Sequence, residues 1–329
     1  MLYTEKDRVC IPVPFYHCFG MVLGNMACTS HGACMVIVGE SFEAEAVMKA
    51  VTGEKCTSLL GVPTMFIAEL EHPDFDKYDF STLRTGIMAG SPCPINTMRQ
   101  VQSKMNMKEV TVCYGMTETS PVSAQSLATD DIEKRVTTVG TVHPHVEIKI
   151  VDENNNIVPR GQDGELCVRG YSVMLGYWDN PEDTEKIIDK QRWLHTGDVA
   201  IMDDDGYVKI TGRIKDIIIR GGENISPREI EEFLISHEGI ADVYVIGVPS
   251  QKYGEEVMAW VKLREGFEIT EEYLVRYCRN QIATYKIPRY WKFVDEFPMT
   301  VSGKIRKVEM REISTKELGL EVAAEIETA

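Results

Sequence analysis

Four short runs carry residue types that could act on an anionic, nucleotide-like substrate. In Tyr114-Gly115-Met116-Thr117-Glu118-Thr119 a ring able to stack on a base precedes a glycine that permits close backbone approach. A hydroxyl follows, then a carboxylate suited to a hard cation such as magnesium. The same run also reads as a polar strand-to-loop turn. Trp193-Leu194-His195-Thr196-Gly197-Asp198 places a carboxylate at a glycine turn. It could grip two vicinal ribose hydroxyls, or simply stabilise its own turn. In Gly212-Arg213-Ile214-Lys215-Asp216, polar residues lead into Ile217-Ile218-Ile219 and then Arg220-Gly221-Gly222-Glu223-Asn224-Ile225. This looks like a linker entering a new strand, with glycines that let a ligand or a domain come close, or that turn an ordinary hairpin. Lastly, Lys304 follows Ser302-Gly303 on a loop tip, from which it could reach into a cleft as a mobile point charge. A solvated basic loop has the same composition.

The elements that must position these residues change along the chain. Residues 8–14, 34–39, 58–62, 85–89 and 110–114 read as apolar strands. Helical patterns at 42–51, 65–70 and 95–105 alternate with them, which predicts a parallel sheet covered by helices. The motif at Tyr114 then falls at a strand's carboxyl end, where open α/β sheets bind ligands. From about residue 136 the pattern turns to short strands at 146–151, 164–169 and within 193–212. Breaks at Gly197-Asp198 and at Asp203-Asp204-Asp205-Gly206 predict a small antiparallel sheet or barrel. The last third is α+β. Ser226-Pro227-Arg228-Glu229 reads as a capping box opening a helix, with strands at 242–248 and 256–263 and a helix at 271–282. The expected domains are 1–135 (partial α/β), 136–214 (β-barrel-like) and 215–329 (α+β lid).

Composition narrows the function classes. Of 329 residues, 35 are Lys or Arg and 51 Asp or Glu, a formal net charge of −16. So acidic a chain should not bind nucleic acid through bulk electrostatics. The nine cysteines, Cys10, Cys18, Cys28, Cys34, Cys56, Cys93, Cys113, Cys167 and Cys278, form no C-x-x-C pair. They read as free thiols of the cytoplasm or another reducing compartment, without disulfides or a zinc site. No signal peptide or membrane-spanning run is visible.

Taken together and in this order, the four runs resemble the adenylate-forming superfamily of acyl-CoA synthetases, luciferases and peptide-synthetase adenylation domains. Pro14-Phe15-Tyr16-His17-Cys18-Phe19-Gly20, Ala89-Gly90-Ser91-Pro92, Gly164-Glu165-Leu166-Cys167-Val168-Arg169-Gly170 and Met174-Leu175-Gly176-Tyr177-Trp178 fit as well. The resemblance spans about residues 8–310 and is nearest to fatty-acyl-CoA synthetases of short to medium chain preference. It implies ATP, magnesium and coenzyme A as cofactors and a small carboxylic acid as substrate. By match, Gly90 and Ser91 border the adenine, Tyr114 stacks on it with Gly115 alongside, and Thr117 meets the α-phosphate. Glu118 holds magnesium, and Asp198 and Arg213 hold the ribose. Lys215 is the hinge, and Lys304 bridges substrate carboxylate and α-phosphate. Gly221, Gly222 and Glu223 serve the pantetheine of the second half-reaction. His17 gates the thiol tunnel at the acyl pocket, which Gly86, Met88, Gly115 and Met116 are read as lining. Two glycines beside flexible methionines suggest a roomy apolar slot.

The family's Ser/Thr/Gly-rich phosphate loop, ending in Pro-Lys-Gly, has no counterpart before Val9. The sequence therefore reads as starting inside the large domain. The other half is expected to be lost or supplied by another chain, and these residues alone to adenylate poorly. Two other readings stay open. One is an adenylation domain for an amino or aryl acid serving a carrier protein; the other is an inactive nucleotide-binding remnant.

Overall fold

Seven short strands in the first 142 residues build one sheet. They are β1 (Arg8–Cys10), β2 (Cys34–Val36), β3 (Ser58–Gly61), β4 (Thr85–Ala89), β5 (Glu109–Gly115), β6 (Val122–Gln125) and β7 (Thr141–Val142). The structure is a computed structural model and describes residues 1–91, 93–300 and 305–321. The spatial order is β2-β1-β3-β4-β5-β6-β7. The first five strands pair in parallel, and β6 and β7 return antiparallel. Parallel neighbours need crossovers. The helices Ala44–Glu54, Pro63–Leu70 and Ile95–Lys104 provide them.

Side chains alternate across each strand, so both faces of this sheet are apolar. Leu59 and Met88 face a core with Met48, Phe66, Met98 and Val101. Leu60, Ile87 and Ala89 face another, with Val9, Ile11 and Phe19. β1 ends at Cys10 rather than at the expected Pro14, since Pro12 and Pro14 have no N–H to give a ladder. The chain then enters a π-helical stretch, Phe19–Met26, that continues as the helix Ala27–His31. Its glycines are contact points. A Cβ on Gly20 would lie 2.4 Å from the Pro14 carbonyl oxygen, and one on Gly24 2.9 Å from Ile11.

The middle elements are β8 (Val146–Val151), β9 (Gly164–Gly170), β10 (Leu194–Met202) and β11 (Val208–Arg213). They form a four-stranded sheet in the order β11-β10-β9-β8, with β8 and β9 antiparallel. Two expectations are corrected here. Among the described residues the sheet keeps two edges and closes no barrel. β10 also runs unbroken through Gly197-Asp198, and its left-handed φ of 71° at Gly197 is one that glycine tolerates inside the strand. The turn at Asp203–Gly206 is present, with Asp203 Oδ1 accepting from the Tyr207 N–H at 2.8 Å.

The last sheet joins β12 (Ile218–Arg220), β13 (Glu223–Ile225), β14 (Ile240–Ser250), β15 (Gly254–Leu263) and β16 (Tyr290–Phe293). The helices Pro227–Ile235, Glu271–Cys278 and Lys307–Glu317 accompany it. Ile225, Ile230, Leu234, Val245, Val257 and Leu274 share a separate core. Ser226 sits at the N-cap as expected, but the capping box is not made. Its hydroxyl donates instead to the Thr211 carbonyl at 2.6 Å, and Glu229 pairs with Lys286 at 2.6 Å. The chain divides into two compact units. One is Met1–Thr196 with Ala200–Ile210, and the other is Gly197–Val199 with Thr211 onward.

Candidate active site

Within the first unit, the expected residues gather where β1, β4 and β5 end. Gly90 and Ser91 follow β4 and are exposed, with Gly90 at a φ of 95° that suits glycine alone. Tyr114 closes β5 half-buried and leans on the cluster of Ile150, Leu166 and Val208. Gly115 lets backbone meet backbone. A Cβ there would lie 1.7 Å from the Pro121 carbonyl oxygen, so the glycine is required by the return strand, whatever else approaches it. Thr117 and Glu118 then stand on a single 3-10 turn, Thr117–Thr119. Its base is fixed by Thr119, whose hydroxyl is buried and donates to the Pro121 carbonyl at 2.7 Å.

The segment after β1 reaches this turn. Cys18 Sγ lies 3.8 Å from Thr117 Oγ1 and 3.9 Å from His17 Nδ1. His17 Nδ1 accepts from the Phe19 N–H at 3.1 Å, which leaves the neutral ring's proton on Nε2. Glu118 is half-buried. Its Oε1 accepts from the Tyr177 hydroxyl at 2.9 Å, and its carbonyl accepts from the Met174 N–H at 2.9 Å. Among the described residues no hydrogen bond falls on its second carboxylate oxygen. A fixed carboxylate with one such oxygen fits a hard divalent cation.

In the second unit, Asp198 is only 6% exposed. Its Oδ1 accepts from Arg213 Nε at 2.9 Å, while Arg213 itself is largely exposed. A buried carboxylate needs such a partner, and the guanidinium supplies it. Lys215 is exposed on the one-turn 3-10 helix Ile214–Asp216 that links β11 to β12. Gly221 and Gly222 make the two-residue turn of an antiparallel hairpin, since Arg220 pairs with Glu223 across it. Both have positive φ, 60° and 89°, as a type I′ turn demands. The hairpin reading of this run is therefore the structural fact, and Glu223 is exposed at its start. Lys304 lies outside the described residues.

Two expected lining residues belong to packed interior. Met88 is wholly buried with Met48 and Met98. A Cβ on Gly86 would lie 2.0 Å from the Leu59 carbonyl oxygen and 2.6 Å from Met107. Met116 is half-buried and packs toward Val146, Val168 and Leu194. A group that spacing did not single out also forms here: Glu165 and Cys167, two apart on β9, face His195 on β10. Glu165 Oε2 and His195 Nδ1 are 2.7 Å apart and Cys167 Sγ is 3.5 Å from the same nitrogen. Burial and the nearby Glu165 charge push the Cys167 thiol up to about 12. Period-two spacing on β9 was the available signal, but the partner on the next strand was not in it.

A family model described as "AMP-binding enzyme" matches residues 1–178, and one described as "AMP-binding enzyme C-terminal domain" matches residues 229–304. The chain belongs to the AMP-binding enzyme family. Family members similar to it include YngI of Bacillus subtilis (strain 168), whose name assigns it provisionally to the acyl-CoA synthetases. That protein is 57% identical over 95% of this chain and 57% of its own length. The mitochondrial medium-chain acyl-CoA ligase ACSF2 of Danio rerio is 48% identical over 97% of this chain and 53% of its own length. The chain thus spans about half the length of the curated relatives it matches. Among solved structures, ATP-bound MatB from Rhodopseudomonas palustris superposes with a TM-score of 0.87 at 31% identity, covering 96% of this chain and 61% of MatB. The anthranilate CoA ligase AuaEII, in complex with anthranoyl-AMP, gives 0.84 at 27% identity, covering 96% and 61%. Among the described residues no helix is long and apolar enough to cross a membrane.

Proposed function

We propose that this chain is the nucleotide- and thiol-handling part of an acyl-CoA synthetase that activates a short- to medium-chain fatty acid. The observation that carries the reading is the turn after β5. There Thr117 meets Cys18 and the Glu118 carboxylate is held by Tyr177, at the carboxyl ends of parallel strands. In the first half-reaction a carboxylate oxygen attacks the α-phosphorus of ATP and the bond to pyrophosphate breaks. In the second, the coenzyme A thiol attacks the acyl carbonyl and AMP leaves. The first step brings anions together and needs cationic help. Glu118 would hold magnesium, which supplies charge neutralisation when bound. Thr117 would orient the α-phosphate, Tyr114 with Gly90 and Ser91 the adenine, and Asp198 with Arg213 the ribose. Lys304 would offset charge during adenylation, and the hairpin of Gly221, Gly222 and Glu223 would serve thioester formation after motion about Lys215. His17 and Met116 would border the acyl slot. Gly86 and Met88 are left out because their packing is closed. A reducing compartment, the cytoplasm among them, suits the nine thiols.

The curated relatives are longer than the part this chain covers, so the test uses both this chain and a full-length protein that carries it. Fatty, aryl and amino acids should be compared in ATP–pyrophosphate exchange, with thioester formation from supplied acyl-AMP and coenzyme A measured separately. Lys304→Ala should slow exchange at least about a hundredfold, about 2.7 kcal/mol in the barrier, and leave thioester formation nearly unchanged. Exchange only with amino acids, or equal losses in both steps, would overturn the reading.

A further inference from the structure

We propose that Tyr177 is a positioning residue that sets the orientation of the Glu118 carboxylate, and that the metal affinity of this site is tuned through their hydrogen bond. The inference rests on the reading of Glu118 as the ligand of the nucleotide's cation. A glutamate side chain on a one-turn helix has three torsions to fix, and nothing in its own turn fixes them. The loop after β9 does so from 59 residues away. The Tyr177 hydroxyl donates to Glu118 Oε1 at 2.9 Å, while the Met174 N–H donates to the Glu118 carbonyl at 2.9 Å. Side chain and backbone of Glu118 are thus held by the same short loop.

That loop is itself anchored. The Tyr177 N–H donates to Thr184 Oγ1 at 2.9 Å, and the Thr184 hydroxyl donates to the Asn180 carbonyl at 2.8 Å. Asn180 caps the helix Pro181–Ile187 by accepting from the Asp183 N–H at 3.1 Å. Gly176 permits the close fit, since a Cβ there would lie 2.8 Å from Thr184. Tyr177 is 38% exposed and is no core anchor, so replacing it by Phe removes little besides the hydroxyl. With Oε1 held by the phenol, Oε2 carries no hydrogen bond among the described residues and is left to a cation. Partners of this kind, one shell out from a metal ligand, commonly govern affinity by tenfold or more.

The test titrates Mn2+ into the full-length protein carrying this chain in the presence of ATP, reading free Mn2+ by its paramagnetic resonance signal against ATP alone. ATP affinity at saturating Mn2+ and thermal stability are measured alongside. Tyr177→Phe should raise the half-saturating Mn2+ about tenfold. It should leave ATP affinity at saturating Mn2+ and the melting temperature within error. Glu118→Gln should weaken Mn2+ uptake more. The double variant should match Glu118→Gln, because Tyr177 acts through Glu118. If Tyr177→Phe leaves the titration unchanged while Glu118→Gln shifts it, this inference fails and the functional reading stands. Additive losses in the double variant, or a loss that excess Mn2+ does not restore, also overturn it. A Glu118→Gln variant identical to the parent, or a full-length parent that takes up no more Mn2+ than ATP alone binds, overturns the functional reading and the inference together.

Discussion

Asp198 is held by Arg213 and is almost closed to solvent, and the role proposed for its carboxylate is to grip the ribose. Asp198→Ala should weaken acyl-AMP binding to the completed protein by tenfold or more, as calorimetric titration would measure. Unchanged affinity would remove the ribose assignment. Glu69 presents the opposite case. It is buried in the helix Pro63–Leu70, its Oε2 has no hydrogen-bond partner among the described residues, and burial raises its carboxyl well above the usual range. The unfolded chain therefore releases this proton before the folded one does, and stability falls as pH climbs above the ordinary glutamate value of about 4.3 toward the raised folded one. Glu69→Gln should melt higher than the parent, by more at pH 7.5 than at pH 5.5. An equal difference at both pH values would mean that Glu69 is not held protonated.

At the scale of elements, the turn that carries Thr117 and Glu118 depends on how closely β6 returns along β5. Gly115 allows that approach, and β6 continues it with Tyr114 opposite Ala124 and Cys113 opposite Gln125. A methyl group at Gly115 meets backbone rather than a side chain that could swing away. Overpacking of this sort costs about 1–3 kcal/mol. Gly115→Ala is thus expected to lower stability by that amount in urea titration. It should also displace Thr117 and Glu118, weakening nucleotide binding beyond what the stability loss explains. Normal stability and binding would show that β6 simply moves aside.

The whole molecule has two units with separate cores, one around Leu59 and Met98 and the other around Leu234 and Val245. Cores that share no side chains can melt independently. Leu59→Ala and Leu234→Ala each delete a fully buried side chain, at about 2–5 kcal/mol. In differential scanning calorimetry each should lower one transition and leave the other in place. A single transition lowered by both substitutions would show that the units unfold as one. The net charge of −16 has its consequence at this scale too, because self-repulsion and the lack of a basic run leave little attraction for a polyanion.

Local rules were enough to read the parallel sheet and its crossover helices, because period-two and helical apolar patterns report burial along the chain itself. They also marked the runs at Tyr114, Asp198 and Arg213 as candidates, since a glycine beside a polar group is a local signal. Contacts between distant segments decided the rest. The Ser226 hydroxyl turned to the Thr211 carbonyl instead of its own helix. Gly86, read as pocket lining, is closed by Leu59 and Met107. Gly197, read as a break, lies inside β10, which stands between β9 and β11 in the sheet. The grip of Tyr177 on Glu118 spans 59 residues and leaves no trace in spacing. Sequence pattern determines which residues prefer to be buried or to turn. Which partner each polar group finds depends on what the fold brings within hydrogen-bond reach, and only the tertiary structure decides that.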